Sequence, residues 1–220
     1  MMGGQRMDVA VFPLVNAVLF PGVTLSLHFF ERHHLQMLRD IQAKGWLLAV
    51  SLIQPFSDRE LMLNGVCGAG RIEIIKEYHD GRCDVLVKGT QRVRLRSFIQ
   101  QEPYFVMDAD PIDDLGLAAL PLLHNGQRNF ADFLSLVKSW AFLNPALPEK
   151  TPLLFDDFKN FGELADFFVF HFLKRAPDKQ VYLNCTDPSE RSEKLARYLE
   201  TDLVRLSRRN DQLKRLQMVH

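Results

Sequence analysis

The sequence predicts an α+β protein whose β-rich first half is followed by a helical second half. Two observations carry this reading. Up to Asp110-Pro111 the chain is a series of short apolar blocks with period-two alternation, cut by glycine and proline turns. From Asp113 onward apolar residues recur at helical spacing instead. No internal repeat or low-complexity tract intervenes, so the expected modules are residues 7–112 and 113–220.

Composition narrows the functional classes. Of 220 residues, 47% are hydrophobic and 25% charged, the balance of a globular chain able to bury a core. The formal net charge is +0, so no global field draws in nucleic acid or an anionic membrane. No apolar run approaches the roughly 18 residues of a membrane span. The opening MMGGQRMDVA lacks the long apolar region of a signal peptide, and Met7 is an alternative start that would leave residues 1–6 as an extension. Cys67, Cys83 and Cys185 are odd in number and form no CxxC pair. That points to a reducing cytoplasm and away from a disulfide framework or a cysteine zinc site.

The first half is organised around Val11–Glu31, whose blocks VFPLV, AVLF and VTLSLHFF are each strand-sized. Pro21-Gly22 is turn chemistry, with proline presetting φ and glycine accepting φ > 0. Val23, Leu25, Leu27 and Phe29 then alternate with Thr24, Ser26 and His28. Residues 31–43 read as an amphipathic helix stopped by Gly45, and Trp46–Ile53 as a buried strand. Gln54–Glu60 is expected as a loop. Gly65, Gly68 and Gly70 read as tight bends in a strand rather than a phosphate cradle.

Asp80-Gly81 between alternating runs predicts a hairpin with a type I′ turn, and the returning strand is Cys83–Lys88. Gly89-Thr90 reads as a bend before a further strand, Arg92–Phe98, with Tyr104–Ala109 the last of the set. Many short strands with glycine turns predict a closed or nearly closed barrel.

In the second half, Phe130, Phe133, Leu134, Val137 and Trp140 mark a helix ending before Asn144-Pro145. A proline-rich connector precedes a phenylalanine-rich helix from Phe161 to Leu173. Asp187-Pro188-Ser189-Glu190 is a capping box for a final helix with Leu195, Leu199, Leu203, Leu206, Leu213 and Leu216 along one side. That leucine row offers a surface for a partner helix or for a homodimer.

Three ordered stretches carry a family resemblance: FPLVNAVLFPGVTLSLHFFE, GRIEIIKEYHDGRCDVLVKGTQRVRL and LADFFVFHFLKRAPDKQVYLNCTDPSERSEKL. Together they resemble the N-terminal domain of the Lon protease family, over about residues 8–208. The resemblance implies a PUA-like β-barrel followed by a helical bundle, and a role in binding protein substrates. One departure is His33-His34, where the family usually carries an Arg-Tyr pair. No GxxxxGK[ST] loop is present, so no phosphate cradle or ATPase is expected. The chain looks like a free-standing substrate-binding domain without the ATPase and peptidase modules.

Ser135 and Lys138 match an SxxK signature, yet lie mid-helix without its companion motifs. His28, His33 and His34 offer imidazoles, but neighbouring residues point about 100° apart on a helix. No metal site and no cofactor is therefore expected. Asp113-Asp114 and Asp156-Asp157 read as solvated loop carboxylates, so no enzyme is expected.

Two binding surfaces remain. Seventeen phenylalanines favour an apolar groove between barrel and bundle for unfolded protein or peptide segments, with Phe29, Phe30, Phe56 and Phe105 near strand ends as candidates. The partners would be such clients and a protease or other quality-control factor, with no membrane. The alternative is RNA binding by a PUA-like barrel through a basic strand face, Lys88, Arg92, Arg94 and Arg96. Neutral net charge speaks against nucleic acid.

Overall fold

Six strands and five helices form in the computed structural model, which describes residues 6–53, 65–112 and 129–217. The strands are β1 (Met7–Leu14), β2 (Thr24–Phe29), β3 (Leu47–Leu52), β4 (Val66–Glu77), β5 (Cys83–Gln100) and β6 (Phe105–Ile112). They pair in the order β2-β5-β4-β3-β1-β6, and β6 pairs again with β5. Five strands thus close into a ring, with β2 laid along the first half of β5. This is the expected barrel.

The barrel interior is built from alternate residues of each strand in the ring: Val9 and Val11, Ala49, Cys67 and Ala69, Val93 and Leu95, Met107 and Ala109. Closure depends on one long strand. The sequence reads two strands with a bend at Gly89-Thr90, whereas Cys83–Gln100 runs as a single 18-residue strand. The bend survives as a bulge, because Ala69 pairs with Gln91 and Gly70 with Gly89, leaving Thr90 unmatched. β2 then occupies Cys83–Lys88 and β6 occupies Arg92–Gln100.

The opening blocks behave differently from one another. VFPLV ends β1 and TLSLHF makes β2, but Ala17–Phe20 is not a strand. Val18, Leu19 and Phe20 are buried in a connection over β4 and β5. A Cβ on Gly68 would stand 1.9 Å from the Leu19 carbonyl oxygen, and one on Gly89 2.0 Å from that of Phe20. These glycines serve close backbone approach. Pro21-Gly22 makes the expected turn: Val23 N–H reaches Phe20 O at 3.5 Å and Gly22 has φ 77°, as in a type II turn.

Helix α1 (Arg32–Lys44) buries Met37, Leu38 and Ile41 and ends at Gly45 in the left-handed conformation. It carries the chain across to β3, which lies parallel to β1. The β4–β5 hairpin closes through Tyr78 N–H to Arg82 O at 2.9 Å. Its connection is three residues long with Gly81 at φ 87°, rather than the expected two-residue turn.

The helices that follow are α2 (Phe130–Leu143), α3 (Phe161–Phe172), α4 (Ala176–Leu183) and α5 (Pro188–Gln217), with a 3-10 turn at Thr151–Phe155. Asn129 caps α2 by accepting from Asp132 N–H at 2.8 Å, and Asp187 caps α5 by accepting from Ser189 N–H at 2.8 Å. α4 is absent from the sequence reading. It begins at Ala176-Pro177, where proline suits a first helical turn, but its eight residues show no clear apolar period.

Contacts group the chain into two units. One comprises residues up to 114 with Asp166–Thr186, and the other residues 115–165 with 187–220. The barrel unit therefore includes the end of α3 and all of α4. In the other unit Trp140 donates from Nε1 to Asp202 at 2.8 Å, and Asn210 donates from Nδ2 to Leu143 O at 3.0 Å, tying α2 to α5.

Candidate functional site

The four phenylalanines singled out from the sequence do not share one surface. Phe29 is buried, its ring 4.9 Å from that of Phe12, and so is a core residue. It ends the apolar face of β2, and that face turns inward. The next residue, Phe30, is 62% exposed. Phe105 is half-buried and its ring lies 5.6 Å from that of Phe98, which is 44% exposed beside exposed Ile99. Phe29 pairs with Cys83 at the start of β5, while Phe98 lies near its other end. Phe30 and the Phe98–Phe105 pair are therefore at opposite ends of β5. Phe56 lies outside the described residues.

Phe98 and Ile99 were missed, although adjacent apolar residues at a strand end force one of them outward. In the helical unit a cleft of about 390 Å³ is lined by Lys138, Ser139, Phe142, Leu143 and Pro152. Phe142 is 79% exposed. Its signal was its position off the Phe133, Val137, Trp140 stripe of α2.

The predicted basic row is largely engaged within the fold. Arg92 is not on an open strand face: it is 1% exposed, and Asp166 and Leu183 meet it. The end of α4 and the middle of α3 return to cover this part of β5. Lys88 is paired with Glu73, and Arg96 with Asp110 at 2.6 Å. Arg94 is exposed. In the SxxK segment Ser135 is exposed and the Lys138 ammonium is paired with Asp156.

Two polar clusters lie near Phe30. Asp84 meets His28 Nδ1 at 2.6 Å and accepts from the Tyr78 hydroxyl at 2.7 Å. These bonds, Tyr78 first, hold the Asp84 carboxyl below its ordinary range, and the same carboxylate pushes Tyr78 up. In the second cluster Glu31 Oε2 stands 3.0 Å from His33 Nε2 and 3.5 Å from His34 Nδ1. The His33 and His34 rings are 4.0 Å apart, so their adjacent placement does not keep them from converging. His34 packs edge-on to Phe12. Burial, then the neighbouring His33, lowers its pKa, partly offset by Glu31.

The comparison with known proteins matches this architecture. Curated relatives include the Lon protease of Azospirillum brasilense, 25% identical over 87% of this chain, and that of Dictyoglomus thermophilum, 24% identical over 88%. The chain spans about a quarter of those proteins, 24% of each. A crystal structure of a Lon N-terminal domain protein from Xanthomonas campestris superposes with a TM-score of 0.62 at 23% identity, over 86% of this chain and 96% of that one. The N-terminal domain of the Mycobacterium avium complex Lon protease gives 0.62 at 13% identity, over 88% and 98%. The family model for the ATP-dependent protease La (LON) substrate-binding domain matches residues 8–201, and the chain belongs to that family.

Proposed function

We propose that this chain is a non-catalytic binding module for unfolded or flexible protein segments, acting as an adaptor for a quality-control protease in the cytoplasm. The observation that carries this reading is membership of a substrate-binding-domain family across residues 8–201. Exposed Phe30, Phe98 and Phe142 supply apolar contacts of the kind an extended client would cover. Phe30 and Phe98 lie at opposite ends of β5, which suits several short apolar segments of one client better than a single deep pocket. Among the described residues no helix is long and apolar enough to cross a membrane.

The test is to titrate the protein with a reduced, unfolded model protein and, separately, with mixed single-stranded RNA, each at low and moderate salt. Micromolar binding to the unfolded chain that survives salt and weakens in Phe30→Ala, Phe98→Ala or Phe142→Ala supports the proposal. Binding to RNA alone, collapsing as salt rises, overturns it.

A further inference from the structure

We propose that Glu31, His33 and His34 form a binding site for a late first-row divalent cation, with zinc as the test ion. Among the described residues these three side chains each bring one ligand atom within 4.8 Å of the others. Their placement follows from the junction of β2 and α1. Glu31 precedes the helix in an extended conformation, at φ −82° and ψ 135°, while His33 and His34 lie in its first turn. Side chains on a helix lean toward its N-terminus, so both imidazoles tilt back over Glu31.

The carboxylate makes no side-chain cap to the helix backbone, although the Glu31 carbonyl accepts from Leu35 N–H at 3.0 Å. It is directed at the two imidazoles instead. His34 is further held by the Phe12 and Phe29 rings, at 4.8 and 6.1 Å, which give the site an apolar wall.

The distances suit a small tetrahedral ion. Zinc takes imidazole nitrogen and carboxylate oxygen at about 2.0–2.2 Å, so two ligand atoms on one ion stand about 3.3 Å apart. The carboxylate-to-imidazole separations of 3.0 and 3.5 Å bracket that value. The remaining histidine-to-histidine edge is no longer than 4.8 Å, and the His33 side chain that would shorten it is 42% exposed.

Two imidazoles and one carboxylate favour zinc, nickel or copper over magnesium or calcium, which prefer oxygen ligands. Three protein ligands leave a fourth corner for water. The positive end of α1 opposes a cation here, and the Glu31 charge offsets it.

The test is zinc binding by tag-free, chelator-treated protein, measured by titration calorimetry and equilibrium dialysis. One zinc per chain is expected, with magnesium failing to compete. Affinity should fall at least about tenfold in His33→Ala and in Glu31→Gln, since losing a ligand costs at least as much as losing its outer hydrogen-bond partner. Glu31 is exposed and His33 half-buried, and circular dichroism checks that both variants fold. His79→Ala, on the exposed β4–β5 turn, should bind like the parent. Cobalt should give a spectrum without thiolate charge transfer. Zinc binding unchanged in both variants, or no zinc binding, overturns the proposal.

Discussion

Arg92 on β5 and Asp166 on α3, 74 residues apart, form a buried two-point ion pair: Nη2 donates to the two carboxylate oxygens at 2.7 and 2.9 Å. Arg92 Nε also donates to Leu183 O at 3.1 Å. One guanidinium thus fastens both the middle of α3 and the end of α4 to the barrel wall. Gln180, donating from Nε2 to Val66 O at 2.9 Å, makes a second tie from α4 to β4.

Asp166→Ala leaves a buried cation without its carboxylate and should cost about 3–5 kcal/mol in urea unfolding. The double variant Arg92→Met/Asp166→Leu removes both charges and should recover much of that loss. A loss in Asp166→Ala below about 1 kcal/mol would show that the pair does not hold α3 and α4 in place.

Gly68→Ala should destabilise the protein at the upper end of the about 1–3 kcal/mol typical of overpacking. The added methyl meets the backbone of Leu19, its carbonyl oxygen at 1.9 Å and carbonyl carbon at 2.6 Å, which cannot swing aside as a side chain could. Gly65→Ala, with nothing within 4 Å of its Cβ, should stay within about 0.5 kcal/mol of the parent. The two midpoints in denaturant check the contrast.

Tyr104 links the start of β6 to α1 by donating its hydroxyl to Asp40. Burial first, and then this carboxylate, push its pKa up to about 12. A phenol whose folded pKa lies above its unfolded value of about 10 adds stability that is fully present below pH 10. That contribution should be lost as pH rises from about 10 to about 12. Ultraviolet titration should show a late-ionising tyrosine that disappears in Tyr104→Phe, and alkaline unfolding of that variant should lose this part of its pH dependence.

Cys67, Cys83 and Cys185 are buried thiols. Burial pushes the Cys67 thiol up to about 12 and also raises that of Cys83. Since the thiolate is the reactive form, native protein at pH 8 should resist a disulfide-exchange reagent, and denatured protein should react at all three positions. Rapid labelling of the native protein would contradict this burial.

Much of the fold was legible because its signals are local. The alternation from Val23 to Phe29 put Phe29 and His28 on opposite faces of one strand, and the structure buries the first and exposes the second. Pro21-Gly22, Gly45 and Asp187 did what proline, glycine and a capping aspartate do wherever the chain needs a turn, a stop or a start. The candidate site was less legible. Periodicity assigned Arg92, Arg94 and Arg96 to one strand face, but not what would cover part of it. Phe29 and Phe30 looked equivalent as neighbours, while one is core and the other exposed.

By itself, then, the sequence determined the α+β order of elements, their caps and turns, and the family resemblance, since each rests on neighbouring residues or on ordered motifs. Only the tertiary structure decided that β5 runs unbroken and closes the barrel, that α4 and the middle of α3 bury Arg92, and that His33 and His34 meet over Glu31. The physical reason is reach. Backbone propensities act over a few residues, whereas burial and ion pairing depend on which distant segment returns to a given face.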